Sequence, residues 1–162
     1  MAKVLNRRRL GAMACVLALA SLTGCFGVVS RSGSGNGFAL LTDVRSANNG
    51  TFDRTVFEFS GGKLPEWKIA YDAPPFIADG SGQTVKVSGH AYLVVTLTNA
   101  DAHTRYSGPR RFSPPATPNV TELVQLGDFE GINRWVIGLT DFRKFNVTVM
   151  TSPSRLVVDV QH

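Results

Sequence analysis

Few side chains in this sequence are suited to acid–base or metal chemistry. There are three histidines, His90, His103 and His162, and two cysteines, Cys15 and Cys25. Zinc sites draw on His, Cys or carboxylate ligands, commonly at short local spacing. No His-x-x-Glu-His type pair occurs, so no metal site and no cofactor is expected. A serine nucleophile is usually presented by a Gly-x-Ser-x-Gly elbow after a strand, and the chain has none. Asp128 and Glu130 sit two apart and would point the same way on a strand. Such a carboxylate pair could do acid–base work on a glycan. Gly127-Asp128-Phe129-Glu130-Gly131 reads more simply as a turn or bulge with solvated acids. No catalytic residue is assigned, and the chain is expected not to be an enzyme.

Binding chemistry concentrates in one segment. Asn99 to Asn119 spans 21 residues with four prolines and no strand pattern. Connections of this length in a compact domain are usually functional or disordered. Tyr106 offers a flat face and a hydroxyl, and Arg110 and Arg111 can form bidentate bonds to carboxylate or phosphate. These three are the candidate ligand-binding residues. The plainer alternative is a Pro-rich loop that packs over a sheet edge with its arginines in solvent. Arg54 and Asp159 are expected to pair across neighbouring strands, and Trp67 and Trp135 to lie in the core.

The elements that must position this loop read as strands. Candidates are Leu40–Ser46, Arg54–Ser60, Glu66–Tyr71, Thr84–Val87, Ala91–Thr98, Val120–Leu126, Arg134–Leu139, Phe145–Met150 and Leu156–Val160. Most are 4–8 residues, rich in Val, Phe, Tyr and Thr, and bounded by Gly, Asn, Asp or Pro. Phe145, Val147 and Val149 alternate with polar residues, as do Leu156, Val158 and Val160; Trp135, Ile137 and Leu139 form a third row. No twelve-residue window has helical periodicity, although a short helical turn near Asp101–Arg105 fits the pattern. The expected fold is all-β, an antiparallel β-sandwich of eight or nine short strands.

Charge is uneven. The formal net charge is +5, but Lys3, Arg7, Arg8 and Arg9 fall in the first ten residues. Without them Lys+Arg drops from 17 to 13 against 12 Asp+Glu, leaving +1. A nucleic-acid binder needs its basic cluster in the domain itself, so no nucleic-acid partner is expected. Leu10–Leu22 is an uncharged run of 13 residues. That suits the hydrophobic region of a secretory signal peptide and falls short of the roughly 20 residues that span a bilayer as a helix.

The end of this leader, Leu22-Thr23-Gly24-Cys25, resembles the bacterial lipobox. The resemblance implies cleavage before Cys25 and diacylation of its thiol, with palmitate-type chains anchoring the protein to the outer face of the bacterial membrane. Two chains anchor stably where one binds only marginally. Residues 1–24 are then the signal peptide and 25–38 a lipidated tether, flexible because Ser30–Gly37 is Gly/Ser-rich. The folded domain is expected over 39–162.

The strand segments are similar to the AMIN-like domain of actinobacterial lipoproteins, a relative of the AMIN domain. The resembling residues are Asp53–Phe59 and Ser154–Val160 at the two ends. Between them stand Ala78–Gly82, Tyr106–Arg110 and Gly127–Gly131. The resemblance implies a β-sandwich and a role beside peptidoglycan, since AMIN domains accompany cell-wall amidases and secretins. Two readings follow. One is a membrane-tethered, non-enzymatic module that binds peptidoglycan or another anionic wall glycan. The other is an adaptor that docks an envelope protein through a sheet edge or apolar patch.

Overall fold

The computed structural model describes residues 29–162. The expected signal peptide (residues 1–24), Cys25 and residues 26–28 lie outside the described residues. In chain order the strands are β1 (Ser30–Gly33), β2 (Ala39–Asn48), β3 (Phe52–Phe59), β4 (Glu66–Tyr71), β5 (Phe76–Ile77), β6 (Thr84–Val85), β7 (Ala91–Thr98), β8 (Ala100–Asp101), β9 (Arg111–Phe112), β10 (Val120–Phe129), β11 (Ile132–Leu139), β12 (Phe145–Thr151) and β13 (Ser154–Gln161). No helix occurs among the described residues, and Ala102–Arg105 forms only bends and turns.

The fold is a β-sandwich. One sheet has the order β1-β4-β7-β11-β10-β9 and the other β12-β13-β3-β2-β8. Neighbours are antiparallel except β2 and β8, which run parallel over two positions. The alternation in the sequence supplies the filling. Trp135, Ile137 and Leu139 from one sheet meet Phe57, Leu156, Val158 and Val160 from the other in a single core. Phe57 meets Trp135 edge-on, with ring centroids 6.1 Å apart. Each such side chain contributes about 1.5–3 kcal/mol by leaving water. This core draws on residues from Ala39 to Val160, so the described chain closes on itself.

Strands β10 and β11 are apolar on both faces. The reason is the β5–β6 hairpin, whose Phe76 covers Leu126 and Val136 on the outer side of the larger sheet. Strand β12 departs from its sequence pattern. Phe145 is buried, but Val149 on the same face is 42% exposed, because this edge strand runs past the end of the core.

The expected tether is also different. Ser30–Gly33 is not a linker but an edge strand, paired with β4 from Ser30 opposite Ala70 to Gly33 opposite Trp67. The small residues explain it. A Cβ on Gly33 would lie 2.6 Å from the Trp67 ring, so only glycine lets that indole lie against the strand. Asn36 then locks the following turn. Its backbone N–H donates to the Leu64 carbonyl at 3.0 Å, and its Oδ1 accepts from the Leu64 N–H at 2.7 Å.

Charged pairs cover the outer face of the smaller sheet. Arg54 and Asp159, directly opposite in register, form two bonds of 2.7 Å, as expected from their places on the polar faces of two strands. Glu58 joins Arg45 at 2.9 Å and Arg155 at 2.8 Å. Asp53 is a fully buried carboxylate between the sheets. From β3, its Oδ2 accepts from the N–H groups of Asn119 at 2.6 Å and Val120 at 2.9 Å, where β10 of the other sheet begins. Its Oδ1 faces His162 Nε2 at 3.0 Å.

Removing that acceptor strands two backbone donors. Asp53→Ala is expected to destabilise the domain by roughly 2–4 kcal/mol in urea unfolding. Asp159→Ala, which breaks a partly exposed pair, should change stability by under about 1 kcal/mol. Equal losses in the two variants would refute the structural weight given to Asp53.

Candidate functional site

Strand β10 carries a bulge between Gln125 and Gly127 and ends at a two-residue turn. Both turn residues, Glu130 and Gly131, have positive φ, 50° and 75°. This is the type I′ geometry that suits the twist of a tight hairpin. Asp128 therefore sits on the strand with its side chain buried, whereas Glu130 stands exposed in the turn. The two acids do not converge, which removes the carboxylate-pair reading. Gly127 permits another close approach, since a Cβ there would meet Asp79 Oδ2 at 2.1 Å. Asp79, in the β5–β6 turn, is held by Arg134 at 2.9 Å and donates its N–H to the Leu126 carbonyl.

The 99–119 segment begins at Asn99, whose φ is 60°, and passes through β8 into a turn. Asp101 shapes that turn, with its carboxylate accepting from the N–H and the hydroxyl of Thr104, each at 2.8 Å. The turn lifts His103 between two carboxylates. Its Nδ1 is 2.8 Å from Asp128 Oδ2 and its Nε2 3.2 Å from Asp101 Oδ2. Asp128 Oδ2 also accepts the Ala102 N–H at 3.0 Å. His103 thus bridges the loop to β10, while its ring stays 68% exposed.

The bridge shifts both groups. The Asp128 hydrogen bond, then the Asp101 charge, raise the His103 imidazolium above its ordinary 6.5. Burial pushes the Asp128 carboxyl up, but Asn133, His103 and the Ala102 amide outweigh it and hold it below the ordinary 3.8. Among the described residues, Asp101, His103 and Asp128 are also the place where three metal-ligating side chains converge, their donor atoms within 4.8 Å of one another. Both imidazole nitrogens are aimed at carboxylates, which is the arrangement of a proton bridge. A metal would have to displace one of those protons.

Beside the bridge lies a cleft of ≈ 290 Å³, lined by His103, Arg110, Gln125, Asp128 and Phe129 with the Asp79 turn at its back. Arg110 is exposed and makes no ion pair among the described residues. Gln125 Nε2 is buried without a hydrogen-bond partner. Phe129 is 65% exposed at the rim. Free donors from Arg110 and Gln125, beside the His103 imidazole, suit a carboxylate-bearing ligand. The Phe129 ring offers an apolar face next to them.

Of the three loop residues expected to bind, only Arg110 reaches this cleft. Tyr106 packs edge-on against Trp135, with centroids 5.8 Å apart, and its hydroxyl donates to the Pro109 carbonyl at 2.7 Å. Burial pushes its pKa up to about 12. Arg111 points elsewhere, with one guanidinium nitrogen 2.7 Å from Glu122 and another donating to the Lys86 carbonyl at 2.8 Å. His103, Gln125 and Asp128 were not read from the sequence as one site. Their only signal was a histidine and an acid in two separate turn-like segments.

A scan against protein-family models matches residues 39–162 to the AMIN-like domain. The chain belongs to the AMIN-like domain family. Comparison with curated proteins and with solved structures gives no match. As an AMIN-like domain, it fits a cell-envelope binding module and is compatible with a non-catalytic one. The match covers the whole sandwich except β1, which lies ahead of it.

The bridge has a defined pH window. Its contribution is complete below the ordinary histidine pKa and is lost as pH rises through the raised value of folded His103. At the acid end it is complete above the ordinary aspartate pKa and is lost as pH falls through the lowered value of folded Asp128. An NMR titration should therefore place His103 above 6.5, and Asp128→Asn should bring it back towards that value. An unshifted His103 in both proteins would show that the bridge does not form.

Proposed function

We propose that this AMIN-like domain is a non-enzymatic binding module of the cell envelope, held by lipid on Cys25 at the outer face of the bacterial membrane. Its cleft takes a carboxylate-bearing wall glycan, with peptidoglycan as the leading candidate. The observation that carries this reading is the exposed Arg110 guanidinium over a cleft whose buried Gln125 Nε2 has no partner. Peptidoglycan stems and anionic wall polymers present acceptors for such donors. Family membership supports the envelope role.

A second reading rests on β12. It is the outer strand of its sheet, seven residues long, with Val149 and Met150 both exposed. An edge of this kind supports an adaptor that docks an envelope protein by strand addition.

Sedimentation with purified insoluble cell wall separates the two. Residues 26–162, which hold the thirteen strands of the described residues, should pellet with the wall. Arg110→Ala should weaken binding about tenfold, the effect of losing one charge-assisted hydrogen bond. Arg111→Ala, outside the cleft, should pellet like the parent provided that it folds. If the parent stays in the supernatant where a known wall binder pellets, the glycan reading fails and the β12 edge becomes the site to test.

A further inference from the structure

We propose that the face of the domain beside Ser30 seats on an anionic lipid bilayer. The proposal rests on the reading of Cys25 as the anchored residue, and it concerns a surface remote from the cleft.

The first observation is where the chain enters. Ser30 is fixed opposite Ala70, and one further step in the same register puts Val29 opposite Tyr71. Ser30 is five residue steps from Cys25, a span of at most about 18 Å even when fully extended. A free linker running to Phe38 would let any side of the domain face the membrane. With β1 paired, the chain ahead of Ser30 leaves the sheet beside Tyr71, so that side of the domain is the one kept near it.

The second observation is what stands at that end. The loop after β11 folds back over Tyr71, whose hydroxyl donates to the Arg143 carbonyl at 2.6 Å and accepts from the Arg143 N–H at 3.0 Å. This clamp presents Phe142, tilted against the Tyr71 ring at 4.8 Å and 66% exposed. Val29 is exposed as well. Around them are three cations, Arg31, Arg143 and Lys144, none with an ion-pair partner among the described residues. Arg31 lies over the ring of Phe145, 5.9 Å from its centroid, and so leans towards this loop. The acids nearby are Asp72 and Asp141, and each accepts the N–H of the residue that follows it. Exposed apolar side chains ringed by unpaired cations are what an anionic interface attracts.

The third observation is distance. Strand β11 runs from Ile132, beside the Glu130–Gly131 turn, to Leu139, just before this loop. Seven residues of strand separate the two ends by about 23 Å. A domain seated on its Phe142 end therefore points the cleft end away from the lipid.

Residues 25–162 contain one cysteine, Cys25. Coupling its thiol to a maleimide lipid in nanodiscs of phosphatidylcholine mixed with phosphatidylglycerol supplies the tether whether or not a cell acylates it. With a headgroup spin-labelled lipid present, the amide NMR signals of residues 29–31 and 141–145 should lose intensity while those of 129–132 keep it. The triple variant Phe142→Ala/Arg143→Glu/Lys144→Glu, all on the surface, should lose that contrast with an otherwise unchanged spectrum. Phosphatidylcholine alone should reduce it. Signal loss that is uniform, that is strongest at 129–132, or that survives in the triple variant would overturn the proposal. The wall-sedimentation result bears on the cleft alone, and the mass of Cys25 in protein extracted from cells bears on lipidation alone, so the three readings fail separately.

Discussion

The two sheets are tied at Asp53. Sandwich cores hold by non-directional burial, which tolerates sliding of one sheet over the other. A fully buried carboxylate on β3 that accepts two N–H groups from the start of β10 does not tolerate it. Asn119 extends the tie. Its side chain donates to the Gln161 carbonyl and accepts from Thr140, so β13 and the end of β11 are fixed by the same node. Low local dielectric makes such a network strong when every member is satisfied and costly when one is missing. The 99–119 segment ends at this node and starts from β8, a strand that has left the larger sheet for the smaller one. Both of its ends are therefore fixed, which lets a Pro-rich segment hold His103 and Arg110 in place.

Most of the sheet structure was legible in the sequence, and the exceptions share a cause. Eight of the nine expected strands form in the two main sheets, because each buries an apolar row against the opposite sheet, whereas Thr84–Val87 forms only the two-residue β6 of the hairpin on the outer side of the larger sheet. Strands β5, β8 and β9 span two residues each, too few for a period to appear. Strand β1 escaped notice because Ser-Arg-Ser-Gly has the composition of a linker. Backbone pairing at a sheet edge requires no side chain, and here small residues are what Trp67 demands. Val149 fails in the opposite sense: its alternation is correct, but no core lies opposite the end of β12.

The site was less legible. Residue type marks Tyr106, Arg110 and Arg111 equally, yet three adjacent environments use them differently. Tyr106 closes the core over Trp135, Arg111 pairs with Glu122, and Arg110 alone faces open solvent over the cleft. Which guanidinium is free depends on the strand beneath it, and local sequence carries no record of that. His103 and Asp128 are 25 residues apart and meet only because the loop crosses the end of β10. The Arg54–Asp159 pair lies 105 residues apart and was nevertheless foreseen, since each sits on the polar face of an unmistakable strand.

The register of β1 also sets how the domain answers force. The chain enters at Ser30, level with Val136 in the middle of β11, and β1 runs from there towards the side of the β10–β11 turn. A pull on the residues ahead of Ser30, resisted near that turn, runs along β1 instead of peeling it from β4. Ladder bonds lie across the strands, so such a load is shared among all four paired positions at once. The first contacts to yield under tension would be those of β1, and their release would lengthen the extended segment ahead of Ala39 while leaving the core strands from Ala39 onward in place.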